Sequence, residues 1–449
     1  MVFRGDLISI SVIFRNKNFR NIKSFHFLLK NLLIFLFFRD ILLPKSSVGT
    51  KGVLRMVKRR QYLEKLKKLK DLQIIKVVTG FRRCGKSTLL KQFEDYLKEC
   101  GTESSQIISI NFEKIEFEHL LNYKALYNYV IERLHPNKKT YIFLDEVQLV
   151  EDYQKAVDSL FVRDNVDLYI TGSNAQMLSG ELATLLSGRY VEIEMLPLSF
   201  AEFYELVGGD KRDAWKRYFT NGGLPYTAYI GDEEILHDYL LGIYNTVLLK
   251  DVVERKKIQD IPLLRSVVKF LFDNIGNIVS SKKISDSLVS YGRKTTSVTV
   301  ENYIEALSEA YVVYKAERYD VRGKQHLKSL EKYYAVDMGL RKLLLGSKNK
   351  DIGHILENIV FFELIRRGFE VCIGKIDDLE IDFIAEKEGE KLYYQVSASV
   401  LDPATFEREI EPLRRVHDNY PKYIVTMDEI NTDNEGIRQI NVIDFLLGA

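Results

Sequence analysis

The pattern of apolar and polar positions divides the chain, from about residue 56 onward, into alternating helices and strands. Residues 58–72 repeat apolar positions with helical spacing among many charges, which predicts an amphipathic helix. The apolar, β-branched run at 74–79 predicts a buried strand, and the runs at 141–144 and 167–171 predict two more. Helical patterns separate these strands. Such alternation predicts an α/β fold, with a parallel sheet that has helices on both faces.

The first 55 residues have a different composition from the remainder. They contain ten Lys/Arg, two Asp and eight Phe, but no Tyr, Glu or Ala. Their longest uncharged apolar run, residues 31–38, is much shorter than the roughly 20 residues that span a bilayer, and 44–47 is a poor cleavage site for a signal peptide. We therefore predict no integral membrane segment and interpret 1–55 as a non-native leader or a disordered extension, with Met56 as the native start. A membrane-surface anchor is the alternative.

Overall composition narrows the class of protein. The chain has 449 residues, of which 46% are hydrophobic and 29% charged, and this excludes a disordered, collagen-like or disulfide-rich protein. At about 150 residues per domain, the length predicts two or three domains. The three cysteines favour a reducing cytoplasm, and the scattered His and Cys predict no zinc site. Without residues 1–55 the net charge of +2 becomes −6, because 55 Lys/Arg and 61 Asp/Glu remain, so a globally basic surface for DNA is excluded.

The strand at 74–79 leads directly into a glycine-rich motif and then into a helix. The motif matches G-x-x-x-x-G-K-[ST], the phosphate-binding P-loop. The nucleotide-binding candidates here are Gly80, Arg82, Arg83, Cys84, Gly85, Lys86, Ser87 and Thr88. The two glycines allow successive N–H groups to converge on a phosphate. Lys86 is expected to reach the β- and γ-phosphates of ATP, and Ser87 to hold Mg²⁺. Arg82 and Arg83 either face phosphate or pair with neighbouring acids.

Two carboxylates follow the apolar strand at 141–144. Asp145 is expected to hold Mg²⁺, and Glu146 to orient and deprotonate the attacking water, because the carboxyl end of such a strand lies beside the P-loop. Ser173 and Asn174 come just after the strand at 167–171. Asn174 is a candidate contact for the γ-phosphate or the water, and a plain helix cap is the alternative.

Arg189 is the last candidate of this site. It follows a predicted helix at 175–186 and precedes a predicted strand at 190–195. Arg189 can stabilise transition-state charge, in its own subunit or in a neighbouring one, and a surface ion pair is the alternative. The predicted catalytic residues are therefore Lys86, Glu146 and Arg189.

Several ordered motifs resemble those of prokaryotic AAA-type P-loop ATPases (AAA_14-like) that carry a C-terminal DUF4143 domain. The motifs are GFRRCGKS at 80–87, LDEVQ at 144–148, TGSN at 171–174, LSGR at 186–189 and PLSFAEF at 197–203. The similarity runs from Met56 to the C-terminus. It implies an ATPase domain at 56–230 that uses ATP and Mg²⁺.

The pattern after this core predicts a winged-helix domain at 231–345. Helical patterns at 263–275, 280–288 and 299–310 precede strands at 311–315 and 332–336. This is the order of a winged helix, which can contact DNA. The basic residues available for phosphate contacts are Lys282, Lys283, Arg293, Lys294, Arg322, Lys324 and Lys328. Glu301, Glu305 and Glu309 line the third helix, however, so a protein partner stays open beside DNA.

The last hundred residues, 346–449, predict a nuclease-like α/β domain. Glu357 in a helix, Asp382 in a strand and Gln395 in the next strand match the layout of PD-(D/E)xK nucleases, whose acids hold a divalent metal. These three residues are candidates for a second metal site. Ser397 replaces the lysine of that layout, so we expect a fold retained for binding or regulation rather than an active nuclease.

Together these patterns predict an ATP-binding protein, a Mg²⁺-dependent ATPase that couples its nucleotide state to DNA or to a protein partner. A slow nucleotide-dependent switch with little turnover is the alternative, and a metal-dependent nuclease is a weaker one. The sequence leaves the partner and the oligomeric state open.

Overall fold

The structure, a computed structural model, describes residues 56–175, 188–346, 351–429 and 433–448. Residues 1–55 and nearly all of the predicted helix at 175–186 lie outside these ranges. From Met56 onward the chain forms one compact unit. Among its described helices, none combines the length and the apolar composition that crossing a membrane requires.

Helices and strands alternate in the first half of this unit. In chain order they are α1 (Arg60–Leu69), β1 (Ile75–Thr79), α2 (Lys86–Glu99), β2 (Ile107–Asn111), α3 (Tyr123–Ile131), β3 (Thr140–Asp145), α4 (Tyr153–Phe161), β4 (Val166–Thr171) and β5 (Tyr190–Glu194). Short 3₁₀ helices lie at Ser104–Gln106, Ile115–Leu120 and Val147–Leu149. The strands form one sheet in the order β2-β3-β4-β1-β5, and every neighbouring pair is parallel. The predicted parallel α/β sheet is confirmed.

The register of this sheet brings the predicted site residues to one edge. Strands β1, β3 and β4 are buried along their whole length, because helices pack against both faces of the sheet. Val78 lies opposite Thr171, and Asn111 lies opposite Asp145. Parallel strands end at the same edge, so the loop after β1 lies beside the ends of β3 and β4.

A second, larger sheet occupies the other half. Its elements and the connecting helices are α5 (Phe200–Val207), α6 (Lys211–Asn221), a 3₁₀ helix (Pro225–Ala228), α7 (Glu233–Thr246), a π-helix (Val247–Glu254), α8 (Ile261–Asp273), β6 (Ile278–Val279), α9 (Ser281–Ser290), α10 (Ser297–Glu309), β7 (Val313–Asp320), β8 (Gln325–Ala335), α11 (Met338–Leu345), α12 (Ile352–Arg366), β9 (Glu370–Ile376), β10 (Leu379–Lys387), β11 (Glu390–Val396), α13 (Pro403–Arg414), β12 (Lys422–Thr426), β13 (Asp433–Asn434), β14 (Ile437–Asn441) and α14 (Val442–Leu447). The nine strands are ordered β13-β14-β12-β11-β10-β9-β7-β8-β6.

This second sheet crosses the predicted domain boundary between residues 345 and 346. Helices α8 to α10, strand β6 and the hairpin β7–β8 follow the order expected of a winged helix. Strand β7 also pairs in parallel with β9, where Arg318 lies opposite Ile373. The hairpin and the segment predicted to be nuclease-like therefore share one sheet, while their assignments as a winged helix and a nuclease-like domain stay predictions.

The two halves also share hydrophobic packing next to the P-loop. Phe81, in the loop itself, belongs to the same buried cluster as Leu236 and Leu240 of α7 and Val252 of the π-helix. Burial of this ring ties the loop to the helices that follow the first sheet.

Candidate nucleotide-binding site

The glycine-rich loop has the backbone shape that a phosphate site requires. Gly80, Arg83 and Gly85 adopt positive φ angles of 133°, 68° and 107°. A Cβ atom at Gly80 would lie 2.1 Å from the carbonyl oxygen of Met195, so a side chain has no room there. Such turns let N–H groups converge on an anion, and the N-terminus of α2 adds its positive dipole end.

Lys86, the first residue of α2, is buried at the bottom of this loop. Its Nζ donates to the carbonyls of Gly80 (3.0 Å) and Phe81 (3.3 Å). It also lies 3.8 Å from Oε1 of Glu146. The structure thus brings the predicted lysine and the predicted general base together.

Asp145 is held by two residues that the sequence analysis did not select. Its Oδ1 accepts a hydrogen bond from the Thr171 hydroxyl (2.6 Å), and its Oδ2 accepts one from the Asn111 amide (2.6 Å). Burial raises the pKa of Asp145, and hydrogen bonds from Thr171 and Ser87 oppose that rise. Ser87 lies with Thr88 in the first turn of α2. The carboxylate and the Ser87 hydroxyl are the hard oxygen ligands that Mg²⁺ prefers.

Glu146 is oriented through both its backbone and its side chain. Its φ is 57°, and its N–H donates to the hydroxyl oxygen of Thr171 (2.9 Å). Its Oε2 accepts a hydrogen bond from Gln148 (2.5 Å). The Thr171 hydroxyl therefore links both acids, since it donates to Asp145 and accepts from Glu146.

The other three residues of the loop, Arg82, Arg83 and Cys84, have different surroundings. Arg82 pairs with Glu113 (2.5 Å) and lies 3.7 Å from Asp251. Of the two alternatives for this residue, the structure shows pairing with neighbouring acids. Arg83 is exposed. Cys84 is buried, and burial raises the pKa of its thiol, so this residue offers a ligand only its backbone.

The last two candidates lie at opposite ends of the sheet. Ser173 and Asn174 are buried just beyond β4, at the edge that carries the P-loop, and the Ser173 hydroxyl has no hydrogen-bond partner among the described residues. Arg189 instead precedes β5, and its carbonyl accepts from the N–H of Ile75 at the amino end of β1. Its guanidinium pairs with Asp158 (2.5 Å). The structure does not bring Arg189 to the nucleotide site of its own chain. It shows the alternative, a surface ion pair, with Asp158 as the partner.

The acids of the predicted second metal site surround a lysine from another strand of the same sheet. Lys332, on β8, places its Nζ 2.9 Å from Glu357, 2.6 Å from Glu380 and 3.8 Å from Asp382. The Tyr334 hydroxyl donates to Glu357 (2.7 Å). The charges that were expected to hold a metal are thus paired with a buried ammonium.

Gln395, the third predicted ligand, is engaged by the protein as well. Its carbonyl oxygen accepts from the N–H of Asp382 (3.2 Å), and its amide donates to Glu409 (3.0 Å). In the part of the chain that the structure describes, no group of three or more His, Cys, Asp or Glu is arranged to hold a metal ion. The metal site at Glu357, Asp382 and Gln395 therefore stays a prediction, and in the structure Lys332 is the cation beside the two acids.

Charges on the predicted winged helix are mixed. Among the charged residues named above, those that are exposed are Lys282, Lys283, Arg293, Lys294, Glu301, Glu305, Arg322 and Lys324. Arg322 pairs with Asp377 (2.6 Å), and Glu309 pairs with Lys256 (2.8 Å). The side chain of Lys328 lies outside the described part of the structure. The third helix of the predicted winged helix, α10, thus presents exposed acids.

A P-loop between the first strand and its helix, with two acids at the end of β3, defines a P-loop ATPase-like domain of the AAA type. Comparison with known families agrees: the model of an AAA domain matches residues 73–204. The model of a domain of unknown function, DUF8612, matches residues 212–351, in place of the DUF4143 type that the motifs resembled.

Two uncharacterized proteins are similar to this chain over more than four fifths of its length. One, from Haemophilus influenzae, is 42% identical over 399 residues, which cover 87% of this chain and 99% of that protein. The other, from Methanocaldococcus jannaschii, is 32% identical over 398 residues, 82% of this chain and 85% of that protein. The chain belongs to the same family as these two proteins.

A solved structure, that of a Walker-type ATPase of Pyrococcus abyssi, is also similar. It is 14% identical, with a TM-score of 0.46, over 66% of this chain and 99% of that one. A TM-score of this size is too low to carry over a function.

Proposed function

We propose that this protein binds ATP together with Mg²⁺ at the P-loop and hydrolyses it. The observation that carries the proposal is the meeting of Lys86, Asp145 and Glu146 at one edge of the parallel sheet. Lys86 lies 3.8 Å from Glu146, and one hydroxyl, that of Thr171, bonds to both acidic residues. The AAA domain supports the proposal, because such domains imply nucleotide binding, typically with Mg²⁺.

The residues present fit both ligands. The positive φ angles of Gly80 and Gly85 shape the loop for phosphate, and Lys86 can exchange its carbonyl acceptors for phosphate oxygens, which are charged and therefore stronger acceptors. Ser87 and Asp145 would hold Mg²⁺ through oxygen atoms. When bound, this ion offsets the negative charge of the phosphates.

Glu146 is the residue that would take the proton from the attacking water. Its carboxylate is fixed by Gln148 and its backbone by Thr171, so its position is set before a substrate arrives. Lys86 would stabilise the charge that develops on the phosphate oxygens.

The test measures ATP binding and phosphate release, with and without Mg²⁺, for the native chain, Lys86→Met and Glu146→Gln. Lys86→Met should lose measurable ATP binding. Glu146→Gln should still bind ATP but release phosphate about 10²–10⁴-fold more slowly. Lys91→Met is the matched control, because Lys91 lies on the same helix with a side chain that is 53% exposed.

Two results would contradict the proposal in different ways. A native chain that binds no ATP would exclude the whole proposal. Very slow phosphate release that Glu146→Gln leaves unchanged would instead favour the slow nucleotide-dependent switch.

We further propose that the domain at 231–345 contains a winged helix, from α8 to β8, that couples the ATPase to a protein rather than to DNA. Exposed Glu301 and Glu305 on α10 support this choice, since acids repel the phosphate backbone. Duplex DNA at low salt should therefore leave ATP turnover unchanged. Stimulation by DNA that weakens as salt increases would overturn this choice.

For the C-terminal segment we propose a nuclease-like fold that does not cleave DNA. The pairing of Lys332 with Glu357 and Asp382 supports this, because a buried ammonium already lies beside the acids that would have to hold the metal. Incubation of DNA with the protein and Mg²⁺ or Mn²⁺ should give no cleavage products. Cleavage that Asp382→Ala abolishes would contradict it.

A further inference from the structure

Arg59, directly before α1, is a buried arginine that contacts the P-loop from its outer side. The residue is 2% exposed. Its Nη1 donates to the carbonyl of Cys84 (3.0 Å), its Nη2 to the carbonyl of Leu196 (2.8 Å), and its Nε to Oε1 of Glu202 (2.9 Å). A guanidinium is always charged and holds its donors in one rigid plane. It therefore fixes the loop relative to the segment that follows β5.

The partners of Arg59 are themselves held in place. Glu202 forms a capping box at the start of α5, where its Oε2 accepts from the N–H of Ser199 (2.9 Å). The Arg59 backbone N–H donates to Gln92 of α2 (3.4 Å), and its guanidinium lies 4.9 Å from the centroid of the Tyr62 ring. The guanidinium thus has little freedom to leave the Cys84 carbonyl.

This contact sets the direction of one peptide group of the loop. The described backbone has no cis peptide, and in a trans peptide the C=O and the following N–H point in opposite directions. Because Arg59 holds the C=O of Cys84, the N–H of Gly85 points away from Arg59. Gly85 is the N-cap of α2, directly before Lys86, where a phosphate is expected to bind.

We propose that Arg59 is a positioning residue for the nucleotide site, which orients the Cys84–Gly85 peptide for phosphate binding. The inference rests on the proposed ATP binding. The hydrogen bonds of Arg59 reach a carbonyl of the loop rather than Asp145 or Glu146. Affinity for ATP should therefore change more than the rate at which bound ATP is hydrolysed.

The test compares Arg59→Lys and Arg59→Met with Arg60→Met. Arg60 is the matched control, since its side chain is 76% exposed and lies 3.6 Å from Glu205, away from the loop. The Kd for ATP is measured by calorimetry in the Glu146→Gln background, and KM and kcat without that change. Both Arg59 variants should raise Kd and KM by about 10- to 100-fold, as expected for one charge-assisted hydrogen bond, with kcat altered less than about threefold. Arg59→Lys should show the smaller loss, because it keeps the charge but not the planar set of donors.

Thermal unfolding without nucleotide separates positioning from a purely structural role. Variants with a lower Tm but a native Kd would overturn the inference. If Arg59→Met does not fold, the ATP affinities of Arg59→Lys and Glu202→Gln test the inference instead. Glu202→Gln keeps Arg59 but weakens the ion pair that holds its guanidinium. ATP affinity within about twofold of native in both would overturn the role of Arg59. A native chain that binds no ATP would instead remove the proposed function and this role together.

Discussion

Two clusters in this molecule place a buried lysine near acids, and they differ in the groups that accept hydrogen bonds from the lysine ammonium. At the P-loop, Lys86 donates to two carbonyls of its own loop and lies 3.8 Å from Glu146. In the second sheet, Lys332 lies 2.9 Å from Glu357 and also contacts two further carboxylates. The first lysine is held mainly by neutral groups, and the second by charged ones.

The difference shows when a lysine–acid cluster can still receive a ligand. An ammonium has three N–H donors, and charged acceptors bind them more strongly than neutral carbonyls do. Phosphate oxygens can therefore displace the carbonyl partners of Lys86 but have no advantage over the carboxylates around Lys332. Burial, with the nearby Glu357, raises the pKa of Asp382 well above its ordinary value, while Lys332 opposes that rise.

Replacing Lys332 by Met should give the largest effect on folding. Loss of the ammonium leaves buried carboxylates without their cation, and the free energy of unfolding should fall by about 3–5 kcal/mol. ATP affinity should stay native, whereas Lys86→Met should lose ATP binding with little change in stability. Urea unfolding and ATP titration of both variants measure the two effects.

A matched lysine on the neighbouring strand gives the control. Lys315, on β7, has a side chain that is 42% exposed and lies 3.2 Å from Glu331, so Lys315→Met should cost less than about 1 kcal/mol. Adding Glu357→Gln to Lys332→Met should restore part of the lost stability. The contrast between the two clusters fails if Lys332→Met behaves like Lys315→Met.

Glu194 offers a third environment, a partly buried carboxylate whose described partner is the Tyr314 hydroxyl at 2.5 Å. Burial raises the pKa of Glu194 from 4.5 to about 6. Because the folded-state pKa is the higher one, the stability from this group is complete below 4.5 and is lost as pH rises through about 6. The difference in unfolding free energy between the native chain and Glu194→Gln should fall by about 2 kcal/mol from about pH 4 to about pH 7. Urea unfolding across this range checks it, and a constant difference would mean that Glu194 titrates normally.

Thr171→Val should give the smallest of these effects. The change removes the hydroxyl that donates to Asp145 and accepts from Glu146, while the size of the side chain is kept. The Mg²⁺ concentration for half-maximal ATP turnover should rise about tenfold, because a group that orients a metal ligand is lost. Turnover against Mg²⁺ concentration is the measurement. Thr140→Val is the control for losing a buried threonine hydroxyl, because Thr140 lies at the opposite end of β3 from Asp145, where its hydroxyl accepts from the N–H of His135. Equal shifts in both variants would contradict a specific role for Thr171.

Local chemistry made the P-loop predictable. Gly80, Gly85 and Lys86 are neighbours in sequence, and their function depends on backbone turns that a strand before them and a helix after them produce. The same holds for Asp145 and Glu146, which directly follow an apolar run. In each case the residues that act together lie within a few positions of one another in the sequence.

Contacts between strands that lie far apart in the sequence were not predictable in the same way. Thr171 and Asn111 reach Asp145 only because β2, β3 and β4 pair in one register, and the available signal was a polar residue at the end of each apolar strand. Arg189 is the converse case. Its place before a strand could be recognised, but its distance from the P-loop depends on the direction in which β5 runs beside β1.

The order of helices and strands, the parallel α/β class and the phosphate loop thus follow from the chain read along its length, since each depends on residues close in sequence. Pairing of β7 with β9, the supply of a cation to Glu357 by Lys332, and the hold of Arg59 on Cys84 follow from the tertiary structure alone. These contacts join residues that are 25 or more positions apart. No local pattern encodes them, because which buried charges meet is decided only when whole sheets and helices pack together.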